Sequence, residues 1–399
     1  MTEAVTGAGL ARPGIVRDAL TWHLYLFFGF FQFLVNVQGN VVPFLKEELG
    51  FSYRVAGLHL SGFAVGAGLV GLAGYLVTRR LGRKAMLVFG VGGMAVAGLL
   101  LCLAGSPAES IGSTVLMGLA SGFIISIAYP VLAEIHGRAK DIAFGEINAV
   151  CYGFGIAAPL LTGIVVSLGL GWRTAIVVDA VFGLALLASF ARLGVPEAPV
   201  RAAERGERLP LLYWTYWLSL AFGISLEFCA LFWAPTYLEK VIGLDAASAA
   251  SLAAAFAIAM FLGRAIGSRL VRTMTPAAIL FGAYALQAIG FLLYFFAGGA
   301  VVAVAGLFIL GLGVSVLFPL LFGLAIGAAG KATDLASARS LLAGSAAVLT
   351  MPAALGALAD LVGLHQAHAI MPVLIAATAG VFLAGRAIER RRAYSSSSS

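Results

Sequence analysis

Residues 122–130 read Gly-Phe-Ile-Ile-Ser-Ile-Ala-Tyr-Pro, and residues 311–319 read Gly-Leu-Gly-Val-Ser-Val-Leu-Phe-Pro. Both place glycine, serine and proline four residues apart: Gly122, Ser126 and Pro130, then Gly311, Ser315 and Pro319. An aromatic residue, Tyr129 or Phe318, precedes each proline. Further matches occur at an offset near 193 residues: Pro43 and Glu47 with Pro235 and Glu239, and Gly74 and Arg79 with Gly267 and Arg272. Asp141-Ile-Ala matches Asp334-Leu-Ala, and Pro159 and Gly163 match Pro352 and Gly356. Any one of these could arise by chance. Together, in chain order, they make the chain two related halves.

Both halves are apolar. The sequence is 61% hydrophobic and 11% charged, with a mean hydropathy of +1.01, whereas soluble domains carry about 25% charged residues. Eighteen acidic and 25 basic residues cannot solvate the surface of a 41.1 kDa protein. A soluble enzyme, a nucleic-acid binder and a disordered chain are therefore excluded. Cys102, Cys151 and Cys229 lie in apolar stretches without metal-ligand spacing and read as small buried hydrophobes.

A helix needs about 20 mostly apolar residues to cross a bilayer. Six such runs occupy 22–44, 52–78, 84–104, 111–136, 141–170 and 173–193. Six more occupy 212–238, 246–272, 277–298, 300–329, 334–362 and 366–388. The chain is therefore expected to be an all-α polytopic membrane protein, with twelve transmembrane helices in two pseudo-symmetric six-helix bundles. One bundle covers 1–193, after a short tail at 1–21 that does not read as a signal peptide. A linker at 194–211, rich in Pro, Arg and Glu, leads to the second bundle at 212–388 and a tail at 389–399. With the amino terminus inside, 21 of the 25 Lys and Arg residues, Arg264 among them, fall on cytoplasmic segments or ends. Only Lys46, Arg54, Arg173 and Lys240 fall outside. The positive-inside rule then puts both termini in the cytoplasm, with the chain in the inner (cytoplasmic) membrane.

Six helices followed by six related helices is the pattern of transporters that move two halves about a central site. With the short central linker and the loop after the second helix, the whole chain resembles the major facilitator superfamily. That family's loop signature reads G-x-L-a-D-R-x-G-R-K. Here it stands as Gly74-Tyr75-Leu76-Val77-Thr78-Arg79-Arg80-Leu81-Gly82-Arg83-Lys84, with one extra residue before Gly82. The resemblance implies that Gly74, Thr78, Arg79, Gly82, Arg83 and Lys84 form a gate on the cytoplasmic side. In the family the acid of this loop latches that gate; Thr78 stands in its place, which implies a weak latch. The fifth helix partly resembles the family's antiporter signature, with Gly155, Pro159, Thr162 and Gly163 present and Ala158 in place of a glycine.

Ionisable residues inside a span cost about 2.5–3.5 kcal/mol on insertion scales, so each is a functional candidate. Glu227 lies mid-span in the seventh helix and is the candidate for proton coupling. Glu146 and Arg339 occupy repeat-matched positions, each five residues after its aspartate, where they could steady a gate or hold a polar solute. Gln32, Asn36 and Asn40 recur every four residues and share one face of the first helix. Asn148 and Tyr152 do the same on the fifth. All seven are expected to line a substrate cavity or to bond between helices. His59 could titrate or make a structural bond, and Asp179 has no obvious partner. Asp360, His365 and His368 read as a solvated turn.

The expected function is a proton-coupled secondary transporter of a small organic solute, working by alternating access. The alternative is a proton-antiporting drug or metabolite exporter, and a non-transporting sensor is the least favoured reading. No nucleophile–base constellation, metal site or cofactor site is expected. The expected partners are the solute, protons and the lipid bilayer, around a monomer with no nucleic acid.

Overall fold

A computed structural model describes residues 16–197, 209–271, 273–330 and 333–397. Twelve helical stretches within them are long and apolar enough to cross a membrane. Spans 1 to 6 are Ala19–Leu49, Tyr53–Gly74, Arg83–Leu103, Pro107–His136, Ile142–Ser167 and Arg173–Phe190. Spans 7 to 12 are Leu211–Lys240, Ala246–Leu270, Pro276–Phe295, Ala300–Ala328, Leu342–Val362 and Leu364–Arg391. No strand occurs among the described residues. Most of the predicted linker lies outside them.

The spans match the predicted runs in number and order, and their ends differ for local reasons. Span 1 begins before residue 22 because the Asp18 carboxylate accepts the N–H of Thr21 at 2.8 Å and its hydroxyl at 2.7 Å. It ends at Gly50, whose φ of +65° favours glycine. Span 10 is not one continuous helix but two, Ala300–Ser315 and Leu317–Ala328. Pro319 has no N–H, so the carbonyl of Ser315, four residues earlier, loses its helical donor and the turn opens at Val316.

The halves repeat each other in packing as well as in sequence. Spans 1 and 5, 2 and 4, 3 and 4, 1 and 6, and 3 and 6 pack together in the first half. The equivalent pairs, 7 and 11, 8 and 10, 9 and 10, 7 and 12, and 9 and 12, pack in the second. The repeated glycines serve this arrangement. A Cβ on Gly122 would lie 2.6 Å from Cβ of Val70 on span 2, and one on Gly311 would lie 2.9 Å from Cβ of Ala259 on span 8. Large apolar side chains such as Leu72, Leu103 and Val301 remain exposed on the outer surface, where lipid covers them.

Between the halves, span 2 packs on span 11, span 5 on span 8, and span 1 on span 7. These crossings cluster at the distal face, away from Asp18 and Arg391. Ser61 donates to the Leu349 carbonyl at 2.5 Å, and Lys240 bridges Glu47 of the other half and its own neighbour Glu239. At the terminal face the described ion pairs each stay within one half: Arg17 with Glu146, Arg83 with Glu134, and Arg386 with Glu389. The halves are joined distally and parted on the terminal side.

Candidate functional site

That parting leaves a cavity of about 720 Å³ between spans 5, 8 and 10. Asn148 and Tyr152 line it from the first half; Arg264, Ser268, Phe318 and Pro319 line it from the second. Its walls are mostly apolar, which suits a small-molecule site with few orienting polar groups.

Arg264 is placed by three neighbours. Its Nε donates to the Ser315 carbonyl at 3.3 Å, the group that Pro319 frees from the helix. Its guanidinium carbon lies 4.3 Å from the centre of the Tyr152 ring, a cation–π contact between the halves. Its Nη2 stands 3.9 Å from Oε1 of Glu227, near the middle of span 7, with both side chains at least three-quarters buried. A bidentate arginine–carboxylate pair sits at about 2.7–2.9 Å, so this one is loose. The arrangement can hold opposite charges in apolar surroundings and still let them part.

Arg264 is the functional candidate that sequence reasoning missed, since it was grouped with the basic residues of the cytoplasmic ends. The repeat carried the missing signal. Arg272 matches Arg79 in the sequence repeat, and Arg264 lies eight residues earlier, more than one turn inside span 8, which ends at Leu270.

The other predicted residues divide. Asn148 and Tyr152 line the cavity; the Asn148 amide oxygen accepts the Tyr129 hydroxyl at 3.2 Å. Gln32 accepts a 3.3 Å contact from the Cys151 thiol. Asn36 and Asn40 are buried and donate back to the carbonyls of Gln32 and Asn36, at 3.1 and 3.0 Å. Asn36 faces span 7 beside Phe228 and Phe232, away from the large cavity. Glu146 receives Arg17 at 2.9 and 2.5 Å and the Tyr25 hydroxyl at 3.0 Å. Arg339 is exposed on the helix Thr333–Val362, just before span 11, and its carbonyl accepts the Trp217 indole at 2.7 Å, so the two repeat-matched charges do not meet.

The expected loop is still helix, since the helix of span 2 runs on to Leu81; on it Gly74 is buried, Thr78 half-buried and Arg79 exposed. The Gly82 N–H closes on the Thr78 carbonyl, and a φ of +82° turns the chain there. Arg83 is buried and reaches Glu134 at 2.7 and 2.9 Å and the Pro196 carbonyl at 3.0 Å. Lys84 donates to the Ala191 carbonyl at 2.7 Å. The motif is tied to span 4 and to the chain leaving span 6. Elsewhere, His59 meets the Ser110 hydroxyl at 2.9 Å. His368, expected in a solvated turn, is buried beneath Tyr237 and Tyr294. Asp179 is buried in span 6, with one carboxylate oxygen lacking a partner among the described residues.

Residues 24–351 match the family described as Major Facilitator Superfamily. The chain belongs to that superfamily. Among Major Facilitator Superfamily relatives, an uncharacterized MFS-type transporter from Yersinia pestis is 27% identical over 361 residues, covering 88% of this chain and 91% of that protein. The fold is shared with solved members. A bacterial homolog of the human lysosomal transporter Spinster, in an inward-facing and unoccupied conformation, superposes with a TM-score of 0.75 at 16% identity. That match covers 93% of this chain and 97% of the other. A peptide transporter solved with sulfate gives a TM-score of 0.73 at 13% identity, covering 95% and 97%. The nucleoside transporter NupG gives 0.69 at 13% identity, covering 93% and 99%. The protein is a multi-pass membrane transporter of the Major Facilitator Superfamily.

Proposed function

We propose that this transporter couples the movement of a small organic solute to protons by alternating access, with Glu227 carrying the proton. The observation that carries the reading is the loose Glu227–Arg264 pair, 3.9 Å apart, beside the 720 Å³ cavity between the halves. A carboxylate in a span is costly to keep charged, and an arginine in loose contact lowers that cost without locking the acid in one state. Protonating Glu227 releases Arg264; deprotonating it restores the pair. A site that changes charge in this way can bias which face stays open, provided its two states interact differently with the two conformations. With the termini in the cytoplasm of the inner membrane, as the basic residues favour, the cavity opens inward. We take the transporter to act as a monomer.

The exporter reading differs only in the direction of the solute relative to the proton. It is favoured by Gly163 of the partial antiporter signature, where a Cβ would strike Ser251 of span 8, so this glycine lies on the surface over which the halves move. Liposomes with an imposed pH gradient test both readings. Glu227→Gln is expected to abolish gradient-driven accumulation while leaving exchange partly intact, and the sign of the effective gradient separates uptake from export. Accumulation by Glu227→Gln at the wild-type level would sink the proposal.

A further inference from the structure

We infer that the solute is an organic anion with one carboxylate on an apolar body, that its carboxylate binds Arg264, and that it binds together with a proton on Glu227. This rests on the transport reading above and adds the substrate class to it.

The cavity has one charge and little else that is polar. Among its described lining residues Arg264 is the only charged side chain; Asn148, Tyr152 and Ser268 are the neutral polar ones, and Phe261, Val316, Phe318 and Leu320 supply apolar wall. Of the guanidinium donors only Nε makes a hydrogen bond among the described residues. The 3.9 Å separation from Glu227 exceeds hydrogen-bond length, so the terminal nitrogens retain their donor capacity. A planar fork of N–H groups facing an apolar chamber matches a carboxylate on a hydrophobic body. Asn148 and Tyr152 stand within the same chamber, so an anion on Arg264 would be shared by both halves.

Charge balance joins the anion to the proton. With Glu227 ionised, the pair is neutral. An incoming carboxylate would leave one uncompensated negative charge in a low-dielectric site, which is strongly disfavoured. A proton taken up by Glu227 removes that excess, so each anion bound brings one proton with it. Loss of the proton lets Glu227 return to Arg264 and displace the carboxylate.

The titratable neighbours do not compete for this role. Tyr152 and Cys151 on span 5, Tyr129 on span 4 and Cys229 on span 7 are the groups near the pair, and phenols and thiols ordinarily titrate above about pH 8. Span 10 carries no titratable side chain. The charged residues of span 1 at Lys46, Glu47 and Glu48 and the His368 of span 12 lie toward the distal face. Arg339, on the helix of span 11, and Arg386 and Glu389 on span 12 lie toward the terminal one.

The test uses the full chain in detergent, with octanoate, benzoate and phenylacetate each compared with its own amide. Thermal shift and calorimetry are read at about pH 6 and about pH 8, since one linked proton changes affinity by up to roughly tenfold per pH unit. At least one carboxylate is expected to stabilise the wild type, more strongly at the lower pH, while its amide does not. Arg264→Gln is expected to abolish this binding and Arg264→Lys to weaken it. Glu227→Gln, fixed in the neutral state, should bind the carboxylate with no pH dependence. The assignment is overturned if none of the three carboxylates binds, if the amides bind equally, or if Arg264→Gln binds as the wild type does. Proteoliposomes separate the two proposals. Concentration of a neutral or cationic solute on a pH gradient, without carboxylate binding, removes the anion assignment and keeps the transport reading. Carboxylate binding with the expected mutant pattern but no passage across the membrane keeps the site and removes the transport reading.

Discussion

The carboxylate of Asp360, at the distal end of span 11, caps the helix that begins at Tyr53, accepting the N–H groups of Tyr53 and Arg54 at 2.7 Å each. Those N–H groups have no partner within their own helix, and the positive end of the helix dipole lies with them. The cap joins the second half to the first. Asp360→Ala is therefore expected to favour separation of the distal face. A loss of about 1.4 kcal/mol would change the population ratio roughly tenfold. Double electron–electron resonance between labels at Ala108 and Val301, on the distal ends of spans 4 and 10, reads the change; unaltered distances would remove the latch role.

Gly57 and Gly118 separate gating from folding. A Cβ on Gly57 would lie 2.5 Å from the Pro352 carbonyl oxygen across the interface between the halves. One on Gly118 would lie 1.9 Å from the Phe63 carbonyl oxygen within the first half. Backbone cannot move aside cheaply, and overpacking costs about 1–3 kcal/mol. Gly118→Ala should lower the melting temperature. Gly57→Ala should leave it nearly unchanged and lengthen the same distal distances. Equal thermal losses in the two variants would contradict this division.

The cavity can be checked without a solute. Asn148→Cys should react readily with a hydrophilic methanethiosulfonate added from the terminal face, because Asn148 lines the cavity. Asn40→Cys should react far more slowly, since Asn40 is buried against its own helix. Comparable rates at the two positions would place the water path elsewhere.

Arg83 and Glu134 should matter for stability more than for gating. Glu134→Ala leaves the buried Arg83 guanidinium with only the Pro196 carbonyl among its described side-chain partners. The expected loss is about 1–2 kcal/mol, reduced by solvent at the partly exposed Glu134. A lowered melting temperature with unchanged spin-label distances is the expected result. Changed distances at unchanged stability would assign the pair to the gate.

Much of the architecture was legible because its causes are local. An apolar run of bilayer length must satisfy its backbone internally, so the count and order of spans follow from residue type alone. The Gly-x3-Ser-x3-Pro repeat announced two related halves, and in the fold those glycines are where spans 2 and 4, and 8 and 10, approach. Glu227 stood out as a mid-span acid. Its partner did not, because Arg264 near a helix end reads like any basic residue at a membrane surface.

Sequence by itself determined a twelve-span chain in two halves, because hydropathy and repeat act through neighbouring residues and the bilayer. Tertiary structure alone decided which polar groups meet. Asp360, exposed as expected, came to cap the amino end of span 2, Glu146 went to Arg17 rather than to Arg339, and Arg264 came to stand between Glu227 and Tyr152. These pairings join residues far apart in the chain, and their cause is that charges and unpaired helix-end donors bond to whichever partner the packed helices bring within reach.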